Sequence, residues 1–124
     1  MEKKRTRNWA TVVYPESAGE NWVDKLKALI VPALISPLHD KDTNADGTAK
    51  KNHYHVMVLF DGVKTQEQAR DVFDEIAGVG AEPIKSVRAY ARYLCHMDNP
   101  EKAQYDVSDV QTLGGVDYQS LCCL

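Results

Sequence analysis

Two histidines stand two residues apart in His53-Tyr54-His55-Val56-Met57-Val58-Leu59-Phe60. On a strand, alternate side chains share a face, so both imidazoles point to the side that Met57 and Leu59 occupy. A cation is about the only partner that rewards both rings at once; hydrogen-bonded core or surface histidines weigh equally for this pair alone. A second block, Ser36-Pro37-Leu38-His39-Asp40-Lys41-Asp42, follows a stretch that can lie beside that strand. It offers His39 with Asp40 or Asp42, completing a set of three imidazoles and one carboxylate. With a single negative charge among the ligands, a bound cation stays electrophilic enough to polarise a phosphate. Such a mixed set suits Mn, Mg, Co or Zn and does not choose between them. A solvated Asp/Lys turn is the plainer account of the block. Three of the chain's four His in two neighbouring elements count against it.

The third block is Tyr90-Ala91-Arg92-Tyr93-Leu94-Cys95-His96. Spacing of three puts Tyr90 and Tyr93 on one side of a helix. A phenol, with a reference pKa of about 10, becomes a competent oxygen nucleophile only beside a cation or a base. Most helical tyrosines fill a core instead, and Tyr90, four residues before Leu94, reads that way. Lys85, Arg88 and Arg92 are candidates for a DNA backbone, with a wet charged helix face as the commoner alternative.

These residues need a scaffold. Alternation predicts a strand over 8–14, ended by Pro15, and a short strand over 33–38 edged by Pro37. The polar stretch 40–52 links antiparallel strands and contains Asp46-Gly47. The 53–60 strand has no wholly polar face, which predicts a central position with packing on both sides. Trp22, Leu26, Leu29 and Ile30 form one helical stripe, stopped before Pro32. Thr65 and Gln68 form a capping box for a second helix. That helix carries Ala69, Val72, Phe73, Ile76 and Ala77, with Gly78 as its stop. An edge strand is expected over 82–87 and a third helix from Ser86 or Val87 to Met97. Strand, helix, strand, strand, helix, strand is a ferredoxin-like split βαβ order. The fold class is therefore α+β, a central antiparallel sheet flanked by helices. Such a fold hosts enzymes and plain nucleic-acid binders alike.

One domain fits the 124 residues, and composition is ordinary for a globular chain, 44% hydrophobic and 27% charged. The net charge of -3 excludes a protein coated in positive charge without excluding DNA. Residues 1–97 carry fourteen Lys/Arg against thirteen Asp/Glu, whereas residues 98–124 carry one Lys against five Asp/Glu. The acid excess lies in the tail; Lys3, Lys4, Arg5 and Arg7 form a short basic arm at the other end, suited to phosphates or to solvent. No apolar run is long enough to span a bilayer, and no signal-peptide core is present. Cys95, Cys122 and Cys123 resemble neither a disulfide framework nor a zinc ladder, which fits a reducing cytosol.

The chain resembles the plasmid rolling-circle replication initiators, within the histidine-hydrophobic-histidine (HUH) endonucleases. The resemblance rests on the 36–42 block, on Lys51-Asn52-His53-Tyr54-His55-Val56-Met57-Val58 and on Tyr93-Leu94-Cys95-His96 in this order and spacing. Pro15-Glu16 and the 105–117 tail add to it. The resemblance covers nearly the whole chain and implies the HUH endonuclease fold. It implies His39, Asp42, His53 and His55 as ligands of one divalent metal, Mn²⁺ first, with Asp42 favoured over Asp40. It makes Tyr93 the nucleophile and Tyr90 the runner-up, with His96 auxiliary. Cys95 stands where relatives commonly have Thr. The implied activity is metal-dependent nicking and joining of single-stranded origin DNA through a 5′-phosphotyrosine. DNA contacts would come from Arg5, Arg7, Lys50, Lys51, Lys85, Arg88 and Arg92. Plasmid origin DNA and the host replication machinery are the implied partners, in the bacterial cytoplasm and away from membranes. Residues 1–124 would be one catalytic, origin-binding domain, lacking the C-terminal segment that supports oligomerisation in relatives.

Overall fold

The computed structural model describes residues 5–123. Its strands are β1 (Arg5–Val13), β2 (Ala33–Ile35), β3 (Tyr54–Thr65), β4 (Gly78–Pro83) and β5 (Gln111–Leu113). Its helices are α1 (Trp22–Lys27), α2 (Gln66–Asp74), α3 (Val87–Tyr93) and α4 (Tyr118–Cys122). One antiparallel sheet has the order β4-β1-β3-β2-β5, so β3 lies at its centre as the alternation predicts.

Period 2 divides β3 between two cores. Val56, Val58 and Phe60 pack with Trp9 and Val13 of β1 against Trp22 and Leu26 of α1 and Ala69 and Phe73 of α2. Met57 and Leu59 point the other way, among Ala10, Leu34, Ala91, Leu94, Tyr118 and Cys122. Thus α1 and α2 cover one face, while α3 and α4 cover the other. Burial of a large apolar side chain contributes roughly 1.5–3 kcal/mol, so the two apolar layers hold the helices onto both faces of the sheet.

The second helix begins as predicted. The Thr65 hydroxyl accepts from Gln68 N (3.2 Å), and Gln68 Oε1 accepts from Thr65 N (2.9 Å), closing the capping box. Other boundaries differ. The first helix stops at Lys27, and Ile30 turns outward with a left-handed φ of 54° and 86% exposure, outside the expected stripe. The second stops at Asp74. Exposed Ala77 takes the positive φ of 60°, and Gly78 opens β4, where a Cβ would fall 2.6 Å from Thr11 Oγ1. Gly78 is therefore required by close strand approach. β4 is an edge strand, as expected, but Pro83 ends it rather than beginning it. The third helix ends at Tyr93, short of Met97. The basic arm is partly strand: Arg5 and Arg7 are exposed on β1, while Lys3 and Lys4 lie outside the described residues. Cys122 and Cys123 are bonded to each other, a link between neighbours that ties no distant parts of the chain together, and Cys95 is free and buried. Among the described residues, no helix is long and apolar enough to cross a membrane.

Candidate metal centre

Proline placement sets the histidine strand. After β2 the chain reaches Pro37, which has no N–H to give a ladder. Buried Ser36 compensates: its hydroxyl accepts from His55 N (2.9 Å) and donates to the Pro37 carbonyl (2.8 Å), while Ser36 N donates to the His55 carbonyl (2.9 Å). Pairing resumes beyond it as a bridge between His39 and His53, with His39 N donating to His53 O at 2.8 Å. The two sequence blocks are therefore laid side by side on the face that α3 covers.

Three rings converge there. His39, His53 and His55 lie with centroids 4.7–5.2 Å apart, and one nitrogen of each falls within 4.8 Å of the others. All three are buried. Asp42 is the carboxylate that joins them: its Oδ2 lies 2.9 Å from His39 Nδ1 and 3.4 Å from His53 Nε2. Asp40 is exposed and is not part of either cluster. His39, Asp42 and His96 form the second, overlapping group.

Hydrogen bonds fix which nitrogens face inward. The carbonyl of Leu94, left over at the end of α3, accepts from His39 Nε2 (2.8 Å), so a neutral His39 turns its Nδ1 lone pair to Asp42. Burial keeps that ring neutral, pushing it below its ordinary pKa although the Leu94 carbonyl and Asp42 favour charge. His53 donates from Nδ1 to the Lys51 carbonyl (2.8 Å), leaving the Nε2 lone pair toward Asp42. Burial, then the neighbouring imidazoles, lowers His55 from 6.5 to about 3, and its buried Nδ1 has no hydrogen-bond partner. Burial is the largest influence on Asp42 and opposes its charge, but the Tyr105 hydroxyl, His39 and His96 together outweigh it and hold the carboxyl below its usual range. Two lone pairs facing a carboxylate, beside an orphaned imidazole, are an arrangement that a divalent cation reconciles. The donor set fits one.

Tyr93, at the end of α3, packs against this centre, its ring 5.3 Å from that of His55 and 5.2 Å from that of His96. Tyr90 lies behind it, 5.6 Å away, where burial raises its phenol and keeps it protonated. His96 has a left-handed φ of 59° and donates from Nδ1 to the Ala103 carbonyl (2.8 Å). A cavity of about 160 Å³ opens over the cluster, lined by His53, His55 and Tyr93 with Lys41, Lys50 and Lys102 at its rim. A second cleft of about 520 Å³ shares His55 and Tyr93 and runs past Tyr90, Lys85 and Ser86.

The predicted basic residues are dispersed. Lys50 lines the first cavity and Lys85 the second. Lys51 pairs with Glu16 at 2.7 Å, and Arg88 is exposed on α3. Arg92 is held by Asp98 (2.8 Å) and by the Cys122 carbonyl (3.2 Å). Sequence reasoning did not single out Lys41, Lys102 or Tyr105. Lys102 places its Nζ 5.3 Å from the Tyr93 ring centroid, and Tyr105 touches Asp42 directly.

A split βαβ sheet that carries a His/Asp centre beside a helix-borne tyrosine defines the class of protein. The comparisons with known proteins give the family. Residues 1–119 match "plasmid replication protein, origin binding domain", and the chain belongs to that family. It is 47% identical over 121 residues to a replication protein RepB of Lactiplantibacillus plantarum, covering 98% of this chain and 55% of that protein. It is 41% identical over 120 residues to a replication protein of Staphylococcus aureus, covering 97% and 60%. A replication protein RepB of Streptococcus agalactiae is 31% identical over 127 residues, covering 94% and 60%. The chain thus spans a little over half the length of these relatives.

Proposed function

We propose that the chain is the nicking and joining domain of a plasmid replication initiator. The observation that carries this reading is the convergence of His39, His53 and His55, with Asp42 against His39 and His53 and with Tyr93 against His55. The DNA strand enters unpaired, because the scissile phosphate has to reach a cation held by the buried histidines that line the cavity. A bound divalent cation, with Mn²⁺ the first choice, supplies charge stabilisation for the phosphate oxygens. Lys41, Lys50 and Lys102 draw the phosphate to the rim, and burial keeps His39 and His55 neutral, as holding a cation requires.

Tyr93 Oη attacks phosphorus in line. A tyrosyl O–P bond forms as the P–O3′ bond breaks, and the departing oxygen takes up a proton in place of the one lost by the phenol. The products are a 5′-phosphotyrosyl end and a free 3′-OH, which can prime synthesis. Because the ester is conserved, a 3′-OH can later displace Tyr93 and reseal the strand without ATP. His96 orients the end of α3 through its bond to Ala103. Arg5, Arg7, Lys50, Lys51, Lys85, Arg88 and Arg92 are the proposed DNA contacts, phosphate contacts setting position and base contacts specificity. In this reading residues 1–124 form a single domain acting in the cytoplasm with the host replication machinery.

The test is incubation with an origin oligonucleotide and Mn²⁺, followed by mass measurement for an adduct at Tyr93. Tyr93→Phe is expected to abolish the adduct and the cleavage together. Cleavage retained without an adduct would instead make the protein a water-using phosphodiesterase, and metal-independent binding with no cleavage would make it a binding module.

A further inference from the structure

The acidic tail folds back onto the metal centre. Beyond α3 the chain reverses at His96, and three hydrogen bonds from the Gln104 side chain, to the carbonyls of His96, Asn99 and Lys102 (3.0 Å each), hold the returning loop. Tyr105 N then donates to the Cys95 carbonyl (3.4 Å). The loop delivers the Tyr105 ring onto His39, stacked at 4.2 Å and 15°. Its hydroxyl accepts from Lys41 N (3.0 Å) and donates to Asp42 Oδ1 (2.6 Å). One tyrosine therefore touches two of the candidate ligands, one by its face and one by its edge.

The two Asp42 oxygens are used differently. Oδ1 is taken by Tyr105, whereas Oδ2 faces the lone pairs of His39 Nδ1 and His53 Nε2. A carboxylate on an exposed loop would otherwise rotate freely about its last bond and meet a cation with either oxygen or with both. We infer that Tyr105 is a positioning residue for the metal centre, holding Oδ1 so that Oδ2 is the oxygen presented to the cation and packing His39 in the ligating orientation. The Lys41 N–H behind the phenol polarises its O–H toward Asp42 and strengthens the hold. Groups that orient metal ligands in this way typically change metal affinity about 10–100-fold when removed. This inference rests on the reading of His39, Asp42, His53 and His55 as a cation site.

The test titrates Mn²⁺ into the wild type, Tyr105→Phe, Asp42→Asn and the double variant, reading free Mn²⁺ by electron paramagnetic resonance with no DNA present. Tyr105→Phe keeps the stack on His39 and loses only the hydroxyl. It is expected to weaken Mn²⁺ binding about 10–100-fold, and the double variant is expected to be no weaker than Asp42→Asn alone. The Mn²⁺-induced rise in melting temperature, taken for each variant against its own metal-free form, reports affinity independently of any change in fold stability. Binding by Tyr105→Phe within about twofold of wild type, well below the loss typical of such groups, overturns the role of Tyr105 and leaves the cation site standing. Additive losses in the double variant overturn the coupling to Asp42. A wild type that binds no divalent cation overturns both readings.

Discussion

The two faces of β3 share one backbone and do opposite work. On the α1/α2 face, Val56, Val58 and Phe60 meet apolar side chains and are fully served by packing. On the α3/α4 face, the His55 side chain is largely buried, yet its Nδ1 has no partner among the described residues. An unsatisfied buried polar atom costs about 1–3 kcal/mol, which a purely structural site would remove. The difference teaches that stability and chemistry are divided by side-chain parity along a single strand. Substitutions on each face should therefore break different things.

The largest effects test that division directly. Phe73→Ala, in the apolar layer, should cost about 3–5 kcal/mol in urea unfolding through the cavity it leaves. The folded fraction should still bind Mn²⁺ as the wild type does. His55→Ala should do the reverse: metal-free stability changes little, since the orphaned nitrogen goes with the ring, while Mn²⁺ binding and strand cleavage fall by more than the roughly 10–100-fold that follows loss of a group merely supporting a ligand. If Phe73→Ala impaired Mn²⁺ affinity as severely as His55→Ala, the two faces would not be separable.

A subtler effect concerns pH. In the metal-free protein the folded state keeps His55 unprotonated down to about pH 3, whereas an unfolded histidine takes up its proton near 6.5. The unfolded state thus binds more protons between these values, and stability falls as pH falls. The slope approaches about 1.4 kcal/mol per pH unit for each histidine so held. His39, lowered by burial, adds in the same direction. Urea midpoints from about pH 7 to about pH 5 should show this slope, flattened in His55→Gln. A wild type with no slope over that window would mean that the rings protonate freely in place.

What the sequence made legible follows the same physics. The central strand, the shared side of His53 and His55 and the Thr65 cap each depend on residues within a few positions, where period and capping chemistry operate. β5 and α4 escaped because their three and five residues carry no periodic signal, and β5 forms by pairing with β2. Tyr105 escaped for a different reason: its partner Asp42 is 63 residues away in sequence, joined only when the chain turns at His96. The basic residues were visible as types, but spacing could not show that Arg92 is already held by Asp98 and a backbone carbonyl. Between Asp40 and Asp42 the local pattern was silent, and the structure places only Asp42 against the rings.

The smallest expected effect lies where β3 becomes α2. Thr65 is both the last residue of the strand and the cap of the helix. Thr65→Ala removes the hydroxyl that accepts from Gln68 N but leaves Gln68 Oε1 free to accept from residue 65. Half of the reciprocal box survives, so the loss should be about 1 kcal/mol, read from urea unfolding. Because α2 sits on the face opposite Tyr93, adduct yield measured well below the melting transition should not change. A drop in adduct yield without a matching drop in stability would show strain passing through β3 from the packing face to the chemical one. The parity of the strand would then be a weaker partition than its geometry implies.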